Sequence, residues 1–274
     1  MESADRFEFK FVLSREQRQG LFAALGDRLE PDAHGSVEGA YPIVSLYYDT
    51  ADRRCYWEAW RRAPSRRKLR VRIYGTPDGA IPPTSFVEIK HKLDGRGAKR
   101  RVQTTQQNAL AIAAGGGALE GFSGVELRTV EEVHQLAREE AFRPACLISY
   151  QRRAYALAVT ALGEEAGPEP LRITFDEGVG ARFRDLVPEP ADSRCDFALL
   201  NPGQCLMEMK GSRAVPFALV RLLAGLGIQS CSFSKYRSAV ERLLRTPPLS
   251  PSLTHPTAAP QTPLLCQTLR TIPC

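Results

Sequence analysis

The segment KLRVRIY, residues 68–74, carries a cation at every second position. In a β-strand, side chains alternate between the two faces of the sheet, so Lys68, Arg70, Arg72 and Tyr74 share one face and Leu69, Val71 and Ile73 the other. The same pattern recurs along the chain. Arg6, Glu8 and Lys10 alternate with Phe7, Phe9 and Phe11, and Glu88, Lys90 and Lys92 with Val87 and Ile89. Lys99 aligns with Arg101, Arg172 with Thr174 and Asp176, and Glu208 with Lys210. A sheet with one face in water accounts for any single strand. It does not account for Lys or Arg on nearly every strand, because like charges facing each other across strands destabilise a sheet. The pattern calls for a counter-charge. In a sheet closed into a barrel these side chains share an interior, where unpartnered cations are strongly unfavourable. A polyanion and a few interleaved carboxylates would balance them. Arginine suits bidentate contact with phosphate oxygens and lysine supplies a compact point charge. The carboxylates suit a hard divalent cation such as Mg²⁺ or Mn²⁺ bridging phosphate oxygens. The chemistry indicated is the binding of a chain of phosphates.

The elements that must position these residues can be read in order. RFEFKFVL is a strand, followed by a helix that Ser14 opens, with Gln17 in the capping-box position. IVSLYYDT, KLRVRIY and TSFVEIKHK are further strands, whereas WEAWRRAPSRR fits helix or loop. Pro77, Asp78 and Gly79 mark a turn, and DGRG makes residues 85–105 a β-hairpin. Helices are expected at 105–114 and at 129–142, the second capped by Thr129 with Glu132. PACLISYQRRAYALAV and LRITFDEGV form a strand pair around the loop GEEAGPEP, QCLMEMKG adds a strand, and helices over 215–225 and 234–244 end the folded part. The expected domain covers residues 1–245. The remainder, 246–274, holds seven prolines in 29 residues and reads as a disordered tail.

Composition sets the outer limits. The 274 residues are 43% hydrophobic and 25% charged, as in a soluble globular protein, and the net charge of +6 favours anionic partners. Seven scattered cysteines without a CxxC pair exclude a zinc site of that type and fit a reducing cytosol. The N-terminus lacks a signal-peptide pattern and no apolar run is long enough to cross a bilayer, so the expected location is cytoplasmic. The four histidines, His34, His91, His134 and His255, form no cluster, and His91 falls on the apolar side of its strand as a packing residue. A nucleic-acid binder would interleave cations with stacking aromatics, whereas most aromatics here sit opposite the charges, so no nucleic-acid partner is expected.

The ordered series FEFK, SLYYDT, KLRVRIY, VEIKHK, AKRRV, RPACLISYQRRAY, RITFDE, LMEMKG and SFSKY resembles the VTC (vacuolar transporter chaperone) domain, the polyphosphate polymerase branch of the triphosphate tunnel metalloenzymes. The resemblance runs from about residue 6 to residue 244. It implies an α+β fold, an antiparallel β-barrel tunnel flanked by helices. It also implies transfer of the γ-phosphate of ATP onto inorganic polyphosphate, with Mn²⁺ (or Mg²⁺) as cofactor. Carried over by position, Lys10, Arg70, Arg72, Lys90, Lys99, Arg152, Arg172 and Lys235 become the phosphate-binding and catalytic cations. Glu208 becomes the metal ligand, with Glu8, Glu88 and Asp176 as further metal or supporting groups. The register leaves Lys99 open against Arg101, and Arg152 against Arg153. Two rival readings keep the same cations: a tripolyphosphate or nucleoside-triphosphate hydrolase, and a module that binds polyphosphate without making it. A membrane-protein partner, not encoded in this chain, is a further expectation from the family.

Overall fold

A computed structural model describes residues 6–32, 40–76, 84–94, 96–163, 169–212 and 214–245. The expected turn at Pro77, Asp78 and Gly79, most of the loop GEEAGPEP and the proline-rich segment 246–274 lie outside the described residues. The elements in chain order are β1 (Arg6–Leu13), α1 (Arg15–Leu25), β2 (Leu29–Pro31), β3 (Ala40–Asp49), α2 (Arg54–Trp60), β4 (Ser65–Tyr74), β5 (Thr84–Leu93) and β6 (Arg96–Thr104). They continue with α3 (Gln106–Ala113), α4 (Gly124–Arg138), β7 (Arg143–Leu157), β8 (Leu171–Arg182), β9 (Phe197–Ala198), β10 (Cys205–Ser212), α5 (Phe217–Gly225) and α6 (Lys235–Arg245).

One antiparallel sheet runs β1-β10-β8-β7-β3-β4-β5-β6, with β2 paired to β7 and β9 to β8. It curls into a tunnel whose two edge strands, β1 and β6, are not hydrogen-bonded to each other. Side chains bridge that seam: Lys90 Nζ on β5 lies 3.7 Å from Glu8 Oε2 on β1.

The hydrophobic cores lie outside the curl. On one side Leu69, Val71, Val87, Ile89 and Val102 pack under Ile112 of α3 and Val130, Val133 and Leu136 of α4. On the other, Phe11, Leu13, Ile173, Phe175, Met207 and Met209 pack against Leu21 of α1 and Leu219 of α5. Strands β1, β4, β5, β8 and β10 therefore spend their apolar alternate positions on a helix layer, and their polar positions are left to face inward.

Local signals place the starts of α1 and α3. Gln17 N donates to Ser14 Oγ at 3.2 Å while Ser14 N donates to Gln17 Oε1 at 3.0 Å, a complete capping box for α1. Thr105 caps α3 through Asn108 N. Of the ambiguous WEAWRRAPSRR segment, only residues 57–60 are helical, as the end of α2, and its last three residues already belong to β4. Helix α2 is held by Asp49, whose carboxylate accepts from Cys55 N and Tyr56 N.

The expected start of α4 at Thr129 is corrected. The helix begins at Gly124, five residues earlier, and Thr129 is buried within it, its hydroxyl donating to Val125 O at 2.6 Å. The stripe of Val130, Val133 and Leu136 fixes this helix through burial, and Thr129 joins it as a core position. Glu132 is consequently no cap; it holds Arg100 of β6 and His91 of β5, with His91 Nε2 at 2.5 Å. His91 is therefore a polar partner of Glu132 under α4 rather than simple packing.

Candidate functional site

The strand registers bring the expected residues onto one surface. Around one half of the tunnel, Tyr47, Arg70, Glu88 and Arg101 stand opposite each other on β3, β4, β5 and β6, and Lys68, Lys90 and Lys99 form the neighbouring row. Around the other half, Arg152 pairs with Asp176 across β7 and β8, Lys10 faces Glu208, and Glu208 faces Thr174. Glu8, Lys210 and Arg172 make the next row.

Helix α6 supplies the last group from the chain's far end. Tyr236 stacks on Tyr47 at 5.3 Å and donates to Asp49 at 2.6 Å, which fixes the start of the helix. The preceding side chain, Lys235, is thereby driven between Asp176 (2.6 Å) and Glu208 (3.3 Å).

The deepest part is a cluster of buried charges. Arg152 grips Asp176 with two bonds, 2.6 and 2.7 Å, and lies 3.7 Å from Glu208. Lys10 Nζ is shared by Glu8 at 3.3 Å and Glu208 at 3.2 Å. Burial alone would raise the carboxyl pKa of Glu208, but Lys235, Lys10 and Arg152 hold it well below the usual range. For Asp176 burial is likewise outweighed, there by Lys235 and Arg152.

Across the tunnel Glu88, almost fully buried, takes Arg70 at 2.6 Å and Lys99 at 2.5 Å, and Arg70, Arg72 and Lys99 overcome its burial and lower its pKa. Arg72 is buried with weaker partners: Ser45 Oγ at 3.1 Å, Tyr74 Oη at 3.3 Å and Glu88 no nearer than 4.0 Å. Lys90 and Arg172 are the most exposed of the expected residues. Lys90 contacts Glu8, and Arg172 reaches Asp32 at 2.9 Å at the tunnel's rim.

The two open registers are resolved in space. Arg152 points into the tunnel, while Arg153 faces outward to Glu177 at 3.3 Å. Lys99 and Arg101 both face inward, Lys99 on Glu88 and Arg101 over the Phe86 ring at 4.7 Å.

Several residues were missed by sequence reasoning. Lys68 sits in the cation row but makes no ion pair among the described residues; it donates to Ser234 Oγ at 2.9 Å. Burial, with Lys10, Lys90 and Arg70 nearby, lowers its pKa to about 8. Tyr47 is buried yet titrates at about 8, because Arg70, Arg72, Lys235 and Lys68 outweigh desolvation. Tyr150 lies under Lys235 (4.6 Å) and Arg152 (5.4 Å). Alternation already puts Lys68 and Lys210 on the charged faces, and only their role is left unassigned. Tyr150 could have been found in the same way, two residues from Arg152 on one face of β7, whereas Tyr47 could not, since β3 is buried along its length and nothing in its sequence says which face turns inward.

Cations outnumber carboxylates throughout this surface. Two buried hydroxyls, Tyr150 Oη and Thr174 Oγ1, have no hydrogen-bond partner among the described residues. Each such orphan costs about 1–3 kcal/mol when left dry, so the interior suits an oxygen-rich anion that accepts from arginine, lysine and hydroxyl groups. Among the described residues no group of three or more His, Cys, Asp or Glu is disposed to hold a metal. Glu8 and Glu208, both within reach of Lys10, offer the two carboxylates that Mg²⁺ or Mn²⁺ needs when phosphate oxygens and water complete its octahedron.

The family model described as VTC domain matches residues 5–244. No curated protein matches the chain by sequence. Among solved structures, a candidate adenylate cyclase from Bacillus halodurans is similar at 12% identity over 83% of this chain and 92% of its own, with a TM-score of 0.46. Another from Vibrio parahaemolyticus is 11% identical over 88% of this chain and 99% of its own, with a TM-score of 0.42.

Proposed function

The chain belongs to the VTC domain family, and from that premise we propose that it is an ATP-dependent polyphosphate polymerase. The observation that carries this reading is the tunnel surface itself, on which Lys10, Arg70, Arg72, Lys99, Arg152 and Lys235 converge from β1, β4, β6, β7 and α6 with few carboxylates between them.

In the proposed reaction a terminal oxygen of the polyphosphate chain attacks the γ-phosphorus of ATP. The bond from that phosphorus to the β-γ bridging oxygen breaks, ADP leaves with the electron pair, and the chain is one phosphate longer. Phosphoryl transfer asks mainly for positioning and charge stabilisation. Arg72 and Arg152 are rigidly held guanidiniums suited to orienting phosphate oxygens, and Lys10, Lys235 and Lys99 supply point charges. Asp176 and Glu88 hold the cations in place and keep the unliganded tunnel from flying apart through self-repulsion. A divalent ion, held by Glu208 with Glu8, would neutralise charge on the transferring phosphoryl group. No side chain is needed as a nucleophile.

The test is incubation of the protein with ATP and Mn²⁺, scoring polyphosphate and free phosphate together, with Glu208→Gln alongside. Polymer and ADP, both lost in the variant, are expected. Free phosphate without polymer would replace this reading with a tunnel hydrolase, and tight polyphosphate binding without turnover would leave a binding module.

A further inference from the structure

Both tryptophans of the chain lie on α2, and the tunnel uses neither. Trp57 and Trp60 are 38% and 57% exposed, their rings edge to face at 5.9 Å. The end of the β5–β6 hairpin adjoins them. Asp94 N donates to Pro64 O at 3.0 Å just after α2, and Leu93, opposite Ser65 in the register, is 60% exposed. Three large apolar side chains thus stand in water along one rim of the curl.

Cations surround them. Arg61 covers the Trp57 ring at 5.8 Å, and Arg62 follows with a left-handed backbone, φ 53°. Arg96 faces Leu93 across the hairpin, and Arg66 and Lys92, paired across β4 and β5 on the tunnel side of the sheet, bring two further cations to the same rim from within. Among the described residues none of these five makes an ion pair, whereas neighbouring Arg54 and Arg67 share Glu140. Asp94 stands at the turn, and the patch keeps a strong positive excess around it.

A surface of this kind fits a ligand that is anionic outside and hydrocarbon beneath. A bare phosphate chain offers nothing to Trp60 or Leu93. An anionic bilayer offers both: headgroup charge attracts arginine and lysine within a Debye length, and tryptophan prefers the interface between water and acyl chain. We propose that the rim formed by α2 and the β5–β6 hairpin end docks on anionic lipid membranes, with Trp57, Trp60 and Leu93 entering the interface and Arg61, Arg62, Arg66, Lys92 and Arg96 meeting the headgroups. The inference goes beyond the enzymatic reading and does not depend on it.

Because Trp57 and Trp60 are the only tryptophans, fluorescence excited at wavelengths that tyrosine does not absorb reads this surface alone. The protein is titrated with vesicles of phosphatidylcholine mixed with phosphatidylserine, and with pure phosphatidylcholine vesicles. A blue shift, quenching by brominated acyl chains and cosedimentation are expected with the mixed vesicles only, and all three fade in high salt. Trp60→Ala with Leu93→Ser, and separately Arg61→Glu with Arg62→Glu, weaken vesicle binding at least about tenfold, while circular dichroism and the thermal midpoint stay as in the wild type. Absence of binding to the mixed vesicles, or binding indifferent to both variants, would overturn the proposal. So would a larger fluorescence response to single-stranded RNA, which would make the patch a base-stacking surface.

Discussion

Replacing Asp176 by asparagine tests whether the tunnel is a cation cluster balanced by a few buried carboxylates. Asp176 is fully buried, takes two bonds from Arg152 at 2.6 and 2.7 Å, and lies 2.6 Å from Lys235. Asparagine has the same shape but no charge, and it turns one of these acceptors into a donor facing a cation. The nearest remaining carboxylate is Glu208, at 3.3 Å from Lys235 and 3.7 Å from Arg152, and it already serves Lys10 at 3.2 Å. Removing one partner of a buried pair costs about 3–5 kcal/mol. At roughly 2–4 °C per kcal/mol for a domain of this size, the lower figure gives a midpoint about 6–12 °C below wild type. The loss should be reversible by ligand. A tunnel with one more net positive charge binds tripolyphosphate more tightly, and at a hundred times Kd the anion restores about 2.7 kcal/mol. Thermal denaturation followed by circular dichroism, with and without tripolyphosphate, measures both effects, and calorimetric titration gives the affinities. A variant as stable as wild type would refute the reasoning. So would one that gains no more from tripolyphosphate than wild type does.

Other outcomes follow from the same geometry. Arg72→Ala removes a buried guanidinium whose strongest partners are hydroxyls, so tripolyphosphate affinity falls by about 2 kcal/mol, roughly thirtyfold in Kd by calorimetry, with no drop in thermal midpoint. Polyanion affinity falls between pH 7 and 9, since Lys68 loses its proton near 8 and Tyr47 becomes a phenolate near 8, both making the tunnel more negative. The Lys68→Met, Tyr47→Phe double variant flattens that profile. Glu88, Asp176 and Glu208 have carboxyl pKa values below those of the unfolded chain, so each contributes stability above about pH 4–5 that is lost as pH falls through its folded value. Acid denaturation monitored against pH should show this loss, and an unchanged stability down to pH 3 would contradict it. Ser14→Ala opens the α1 capping box and costs about 1 kcal/mol in chemical denaturation.

Alternation is a local property with a period of two, which is why so much of the tunnel wall was legible in advance. Once RFEFKF, KLRVRIY, VEIKHK and LMEMKG are strands, the side chains sharing a face follow from backbone geometry alone. The capping box of α1 was equally local. The start of α4 was not: Thr129 and Glu132 have the spacing of a cap, but a cap's worth of about 1 kcal/mol yields to burial of a three-residue stripe. The proline-rich segment beyond Arg245 carries its compositional reading without a structural counterpart, because it lies outside the described residues.

The sequence by itself determined the chemical character of this protein: cationic strand faces, interleaved carboxylates and the order of motifs that marks the family. Only the tertiary structure decided which charges meet. Lys235 reaches Asp176 because Tyr236, one residue on, is anchored to Asp49 from the opposite end of the chain. Arg152 rather than Arg153 turns inward because β7 presents that position toward Asp176 on β8. Tyr47 enters the tunnel because the curl gives β3 an inner face that its sequence does not mark, while Tyr150 follows Arg152 on the inner face of β7. Faces follow from the period of a strand. Partners follow from the curvature of the sheet and the packing of helices, which depend on contacts between residues far apart in the chain.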